Sequence, residues 1–176
     1  MAEDFDRAHV LKLLDVILED ELAGVVRYTH YSFMVFGFHR IPITSWLRKQ
    51  AEESLAHAQE AGELITHFGG HPSLSIGSLL ESHKHDLGDI LRESLEHEKK
   101  GLDNYRRLLA AVEGGSVLLE EYARRMIEKE DLHIGEVDKM LRAPGMIGSM
   151  RGGAGAAGGA PAKGAAGKGA GRNGKR

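Results

Sequence analysis

The stretch GGHPSLSIGSLLESHKH, residues 69–85, limits the fold of this chain more than any other. It joins two long segments of helical periodicity and is far longer than the joins before and after them. The first periodic segment runs from about Asp6 to Phe38 and stops before Pro42. The second begins near Thr44 or Ser45, either a good N-cap, and ends at HFGG, residues 67–70. The third starts near Asp86 and stops at the pair Gly114–Gly115. The fourth takes Ser116 as its N-cap and runs to LRAPG, where Pro144 closes it. Short joins after the first and third segments favour antiparallel neighbours, whereas residues 69–85 are enough to cross a whole bundle. Strand signals are absent. The pattern predicts an all-α four-helix bundle with one long crossover between helices two and three.

The rest of the composition narrows the chemistry. Cysteine is absent, which excludes disulfides, thiolate metal sites and a thiol nucleophile, but not metals held by oxygen and nitrogen. No apolar run approaches the roughly 20 residues needed to cross a bilayer. The acidic start MAEDFDRAHV lacks the basic-then-apolar order of a signal peptide. A cytoplasmic protein with no membrane partner is the expectation. The net charge of −3 conceals a division: residues 1–143 carry −9, and six bases from Arg151 to Arg176 carry +6. Residues 146–176 are Gly/Ala-rich with scattered bases and cannot bury enough side chain to offset ordering. The expected organisation is therefore a bundle over 1–145 and a disordered basic tail over 146–176.

Polar residues intrude on the apolar stripes. At about 100° per residue, Glu21 lies at the centre of the stripe formed by Leu14, Ile17, Val25 and Tyr28. Glu98 does the same among Leu91, Leu102, Tyr105 and Leu109. Glu130 sits among Ala123, Met126, Ile134 and Val137, with His133 displaced by about 60°. On the second helix, His57 edges the stripe of Leu47, Ala51, Ala58, Ala61 and Ile65. Glu21 precedes Tyr28 by seven residues, and Glu98 precedes Tyr105 by seven, so the two halves repeat. Buried carboxylates and imidazoles are expensive unless paired. A bound cation is one such pairing.

A carboxylate from each of two helices, plus Glu-x-x-His from each of the other two, is a pattern that binds two iron or two manganese ions in bundles. Glu130 and His133 meet it. The second helix does not, because the residue three before His57 is Ser54. Glu53, one residue back and only about 40° from His57 on the wheel, is a candidate replacement ligand. The alternative is a site with one carboxylate fewer and asymmetric metal binding. Helical geometry alone leaves both open.

With EDELAGVVRYTHY, AHAQEAGELITHFGGHPSL, LRESLEHEKKGLDNYR and EKEDLHIGEVDKM in order, the chain resembles the bacterioferritins of the ferritin-like di-iron superfamily over residues 6–143. The resemblance implies a ferritin-like bundle in which Glu21, His57, Glu98, Glu130 and His133 ligate two iron ions per subunit, manganese being the other metal that suits such ligands. It implies a ferroxidase that oxidises iron(II) with oxygen or peroxide for iron storage and detoxification. It implies a homo-oligomer, a 24-subunit cage in bacterioferritins and otherwise a dimer. Tyr28 falls beside the centre, as a radical or electron-relay residue. Three positions depart from the family: Ser54 takes the place of its second-helix glutamate, Leu55 that of its haem-ligating methionine, and the tail that of its fifth helix. Leucine cannot ligate iron, so haem is not expected there.

Two other functions fit parts of the sequence. One is a peroxide-reducing di-iron protein of the rubrerythrin kind, which ordinarily also carries a cysteine-held iron. The other is a structural protein that contacts DNA or another polyanion weakly through its basic tail, with a weakened metal site. The remaining histidines, including His83, His85 and His97, are expected to face solvent.

Overall fold

The computed structural model describes residues 5–79 and 82–148. Four helices make up its regular structure: α1 (Arg7–Met34), α2 (Arg40–His67), α3 (Leu87–Val112) and α4 (Val117–Leu141), with no strand among the described residues. Most of the expected 146–176 tail lies outside the described residues. No described helix is long and apolar enough to cross a membrane.

Local chemistry sets most of the boundaries. The Asp6 carboxylate caps α1 by accepting the His9 amide at 3.0 Å. Asp86 accepts the Gly88 amide at 2.9 Å and starts α3, and Ser116 caps α4. Such caps satisfy amides that have no partner within the helix. The end of α2 is a Schellman turn: the Gly69 and Gly70 amides return to the Thr66 and Ile65 carbonyls at 2.9 and 2.8 Å. Gly69 makes this possible with a φ of +69°, a conformation that a side chain disfavours.

The start of α2 corrects the sequence expectation. The helix begins at Arg40, not at Thr44 or Ser45, and Thr44 is buried inside it. Pro42 falls in the first turn, where a helix has no use for the missing N–H, so proline does not break it.

Cross-helix contacts define the topology. Tyr28 meets Trp46, and Phe5 meets Phe68, so α1 and α2 are antiparallel. Asp20 bonds Asn104 and Tyr28 bonds Glu98, so α1 and α3 are antiparallel neighbours. Tyr105 packs edge-on against Tyr122 between α3 and α4. The α2/α4 wall is different. No α2 Cα lies within 8 Å of an α4 Cα, and that wall is spanned by side chains such as Glu60 and Arg125, paired at 2.7 Å.

The crossover runs the length of α1. Ser73 donates its amide to Asp15 at 3.0 Å, Gly77 donates to the Glu19 carbonyl at 2.7 Å, and the His85 ring lies 5.9 Å from that of His30. The apolar core divides around a polar middle. One cluster holds Leu14, Ile17, Ala61, Ile65, Leu108 and Met126. The opposite end has two, around Tyr31, Leu47 and Ile90, and around Leu91, Leu102 and Ile134. Burial of these side chains, each worth roughly 1.5–3 kcal/mol, must support the polar layer between them.

Candidate metal centre

Four helices bring five of the expected residues together in that layer. Glu21 comes from α1, His57 from α2, Glu98 from α3, and Glu130 and His133 from α4. All but His133, which is half-buried, are buried. His57 Nδ1 lies 3.3 Å from Glu21 Oε1 and 3.6 Å from Glu130 Oε1. His133 Nδ1 lies 3.8 Å from Glu98 Oε2. Two groups of three donors result, Glu21–His57–Glu130 and Glu98–Glu130–His133, and within each group the donor atoms lie within 4.8 Å of one another. Glu130 belongs to both. The cavity they line offers a water-sized sphere about 20 Å³ for its centre, room for very few atoms.

Each tyrosine of the repeat bonds the glutamate of the other half. Tyr28 donates its hydroxyl to Glu98, and Tyr105 donates to Glu21 at 2.7 Å. Burial, together with the charge of the acid each one bonds, raises both phenols well above their ordinary value, so they remain donors. The sequence places Tyr28 beside the centre, and the structure puts its hydroxyl on a candidate ligand.

The acids divide one proton unequally. Burial alone would raise Glu98, but hydrogen bonds from His133, Glu130 and Tyr28 outweigh it and bring the carboxyl down to about 2. Burial and the nearby charges of Glu98 and Glu21 push Glu130 well above its ordinary 4.5. Of the two, Glu130 therefore takes a proton more readily than Glu98. His133 is lifted above 6.5 by its bond to Glu98, against the opposing effect of burial. The raised affinities of Glu130 and His133 for a proton mark a site that favours positive charge, among oxygen and nitrogen donors that suit iron or manganese.

Glu53 and Ser54 line the same cavity but belong to neither donor group. Glu53 Oε2 is 3.3 Å from Nε2 of His133, the ring nitrogen facing away from Glu98, and it accepts a bond from Gln50 at 3.1 Å. Its other oxygen pairs with exposed Lys49 at 3.3 Å. Ser54 is buried against Gly24 of α1, where an added Cβ would come within 2.6 Å of the serine oxygen. Leu55 is 44% exposed on the outer face.

Sequence reasoning missed three residues here. His97, expected in solvent, is buried, packs 5.9 Å from the Tyr28 ring and lines the cavity. Burial lowers its proton affinity, so it is held neutral more readily than a free imidazole. Gly24 and Gly101 each follow a glutamate by three residues, and Gly101 faces Glu130 as Gly24 faces Ser54. The signal was present as E-x-x-G-x-x-x-Y, read once at Glu21 and again at Glu98.

The model of the ferritin-like domain matches residues 11–146. This chain belongs to the ferritin-like family. Its fold is similar to that of a ferritin-like, diiron-carboxylate protein from Bacillus anthracis str. Ames, with a TM-score of 0.74 at 20% identity, covering 81% of this chain and 100% of that one. It is also similar to Rhodobacter capsulatus bacterioferritin, solved with a metal-free dinuclear site and a haem iron, with a TM-score of 0.68 at 20% identity, covering 80% and 86%. No curated protein matches the sequence. At such identity the two solved structures establish the ferritin-like fold, and chemistry must be argued from the residues themselves.

Proposed function

We propose that this ferritin-like protein binds two iron ions between its helices and oxidises iron(II) to iron(III) for storage and detoxification in the cytoplasm. One observation carries the reading: two buried donor groups share a single carboxylate, Glu130. Glu21, His57 and Glu130 would hold one ion, and Glu98, Glu130 and His133 the other, with manganese the competing metal for such donors. Each iron(II) gives up one electron; peroxide, taking two electrons and two protons, leaves as two waters, and oxygen is the alternative acceptor. Tyr28 and Tyr105 keep the carboxylates of Glu98 and Glu21 oriented. Tyr28, bonded to Glu98, would also pass an electron or hydrogen atom.

Self-association fits the outer face of α1 and α2, where Val25, Phe33 and Leu55 line an open groove. The relationship to bacterioferritin favours a cage over a dimer, and gel filtration separates the two by size. The deciding experiment is anaerobic titration of metal-free protein with iron(II), followed by oxygen or peroxide and absorbance in the ferric-oxo region. Two ions per chain and rapid oxidation are expected. One weakly held ion, or none, with no oxidation would overturn the reading and turn attention to the basic tail.

A further inference from the structure

Both candidate histidines turn Nδ1 inward and Nε2 outward, yet their outward partners have opposite charge. Behind His133 stands the Glu53 carboxylate, at 3.3 Å. Behind His57 stands the Lys129 ammonium, at 3.5 Å. We propose that Glu53 and Lys129 make the two halves of the centre unequal, so that an ion fills the Glu98–Glu130–His133 half first and the Glu21–Glu130–His57 half second, at lower affinity. The inference rests on the two-ion reading above and adds an order and its cause.

The argument is one of hydrogen placement. A neutral imidazole gives a lone pair from Nδ1 only when its hydrogen sits on Nε2. A carboxylate can only accept, so Glu53 holds a hydrogen on Nε2 of His133, and an arriving ion need only displace the one that Nδ1 turns toward Glu98 at 3.8 Å. Carboxylates behind metal-bound histidines also fix the ring and strengthen it as a donor. An ammonium can only donate. Lys129 therefore favours the lone pair on Nε2 of His57 and the hydrogen on Nδ1, which faces Glu21 and Glu130 oxygens at 3.3 and 3.6 Å. For an ion to bind there, the hydrogen must change nitrogen and Lys129 must withdraw. Its positive charge also opposes a second cation.

This assignment gives Glu53 a place without making it a ligand. It is a positioning residue acting through His133, just as Lys129 acts through His57.

The test uses full-length metal-free protein and redox-inert zinc(II), followed by calorimetry, with cobalt(II) absorbance as a second probe of ligand geometry. Wild type, His57→Ala, His133→Ala, Lys129→Gln and Glu53→Gln are compared, each checked for unchanged helicity. Two ions with dissociation constants at least about tenfold apart are expected. His133→Ala should remove the tight phase and His57→Ala the weak one. Lys129→Gln should tighten only the weak phase, and Glu53→Gln should weaken only the tight phase, each by about tenfold or more. Two ions of equal affinity in the wild type, or variants that shift both phases alike, would overturn the ordering while leaving the two-ion reading intact. One ion in the wild type and a second recovered in Lys129→Gln would support it. One ion or none in every protein would overturn both.

Discussion

Ser54 and Glu130 occupy the same place in the two halves of the molecule, three residues before an inward histidine, and they meet different neighbours. Across from Glu130 is Gly101, whose missing Cβ would lie at an ordinary 3.7 Å from the glutamate oxygen. Across from Ser54 is Gly24, whose missing Cβ would lie 2.6 Å from Ser54 Oγ and 2.9 Å from His97 Nε2. One backbone repeat thus supports an open half with a shared carboxylate and a closed half filled by serine and an extra imidazole. The comparison teaches that losing an acid from a repeated site changes the packing of the facing helix as well as the donor count.

The most severe way to break this comparison is to remove the carboxylate common to both groups. Glu130→Gln should abolish binding of both ions and lower iron(II) oxidation by at least about 100-fold, whereas Ser54→Ala should leave two ions bound, as counted by anaerobic titration. Tyr28→Phe and Tyr105→Phe each strip a hydrogen bond from a buried carboxyl group and should each cost about 1–3 kcal/mol in chemical denaturation. Gly24→Ala sharpens the packing contrast. It should destabilise the protein by about 1–3 kcal/mol through overpacking, and adding Ser54→Ala should recover part of that. Gly101→Ala has no such clash and should be neutral or stabilising by up to about 1 kcal/mol, from helix propensity alone.

The smallest effect is a pH dependence. Glu130 is raised above 4.5 and His133 above 6.5 on folding. Groups raised in the folded state stabilise it fully below their ordinary values and lose that contribution as pH climbs through the raised ones. Glu98 works the other way, and its contribution disappears only as pH falls from 4.5 toward about 2. The melting temperature of metal-free protein should therefore decline as pH rises above about 6.5. Zinc-loaded protein, whose ligands must give up those protons, should not follow it. The gap between the two melting curves should widen with pH.

Much of this was legible from residue order. The four helices, the crossover, and the meeting of Glu21, His57, Glu98, Glu130 and His133 follow from periodicity and from carboxylates placed where leucine belongs. Asp86 and Ser116 announced their helices by side-chain chemistry. The start of α2 was harder, because proline is forbidden inside a helix but harmless in its first turn. His97 was misread because a helical wheel gives an angle, not a distance. Its burial depends on α1 presenting Gly24 at that height, a fact held 73 residues away in the chain. Lys129 carries no signal in the sequence, since only the facing helix places its ammonium beside His57.

The crossover stitched along α1 has a consequence for how the ligands are distributed. In a bundle of four helices joined by three consecutive hairpin turns, α1 and α3 would stand on opposite corners, as would α2 and α4. Here the long connection makes α1 and α3 neighbours and leaves α2 facing α4. The centre therefore draws Glu21 and Glu98 from the α1/α3 wall, and His57, His133 and the shared Glu130 from the α2/α4 wall. Shortening the crossover to a tight turn would reshuffle those walls into an alternating ring, and the carboxylate shared between the two groups would lose its place.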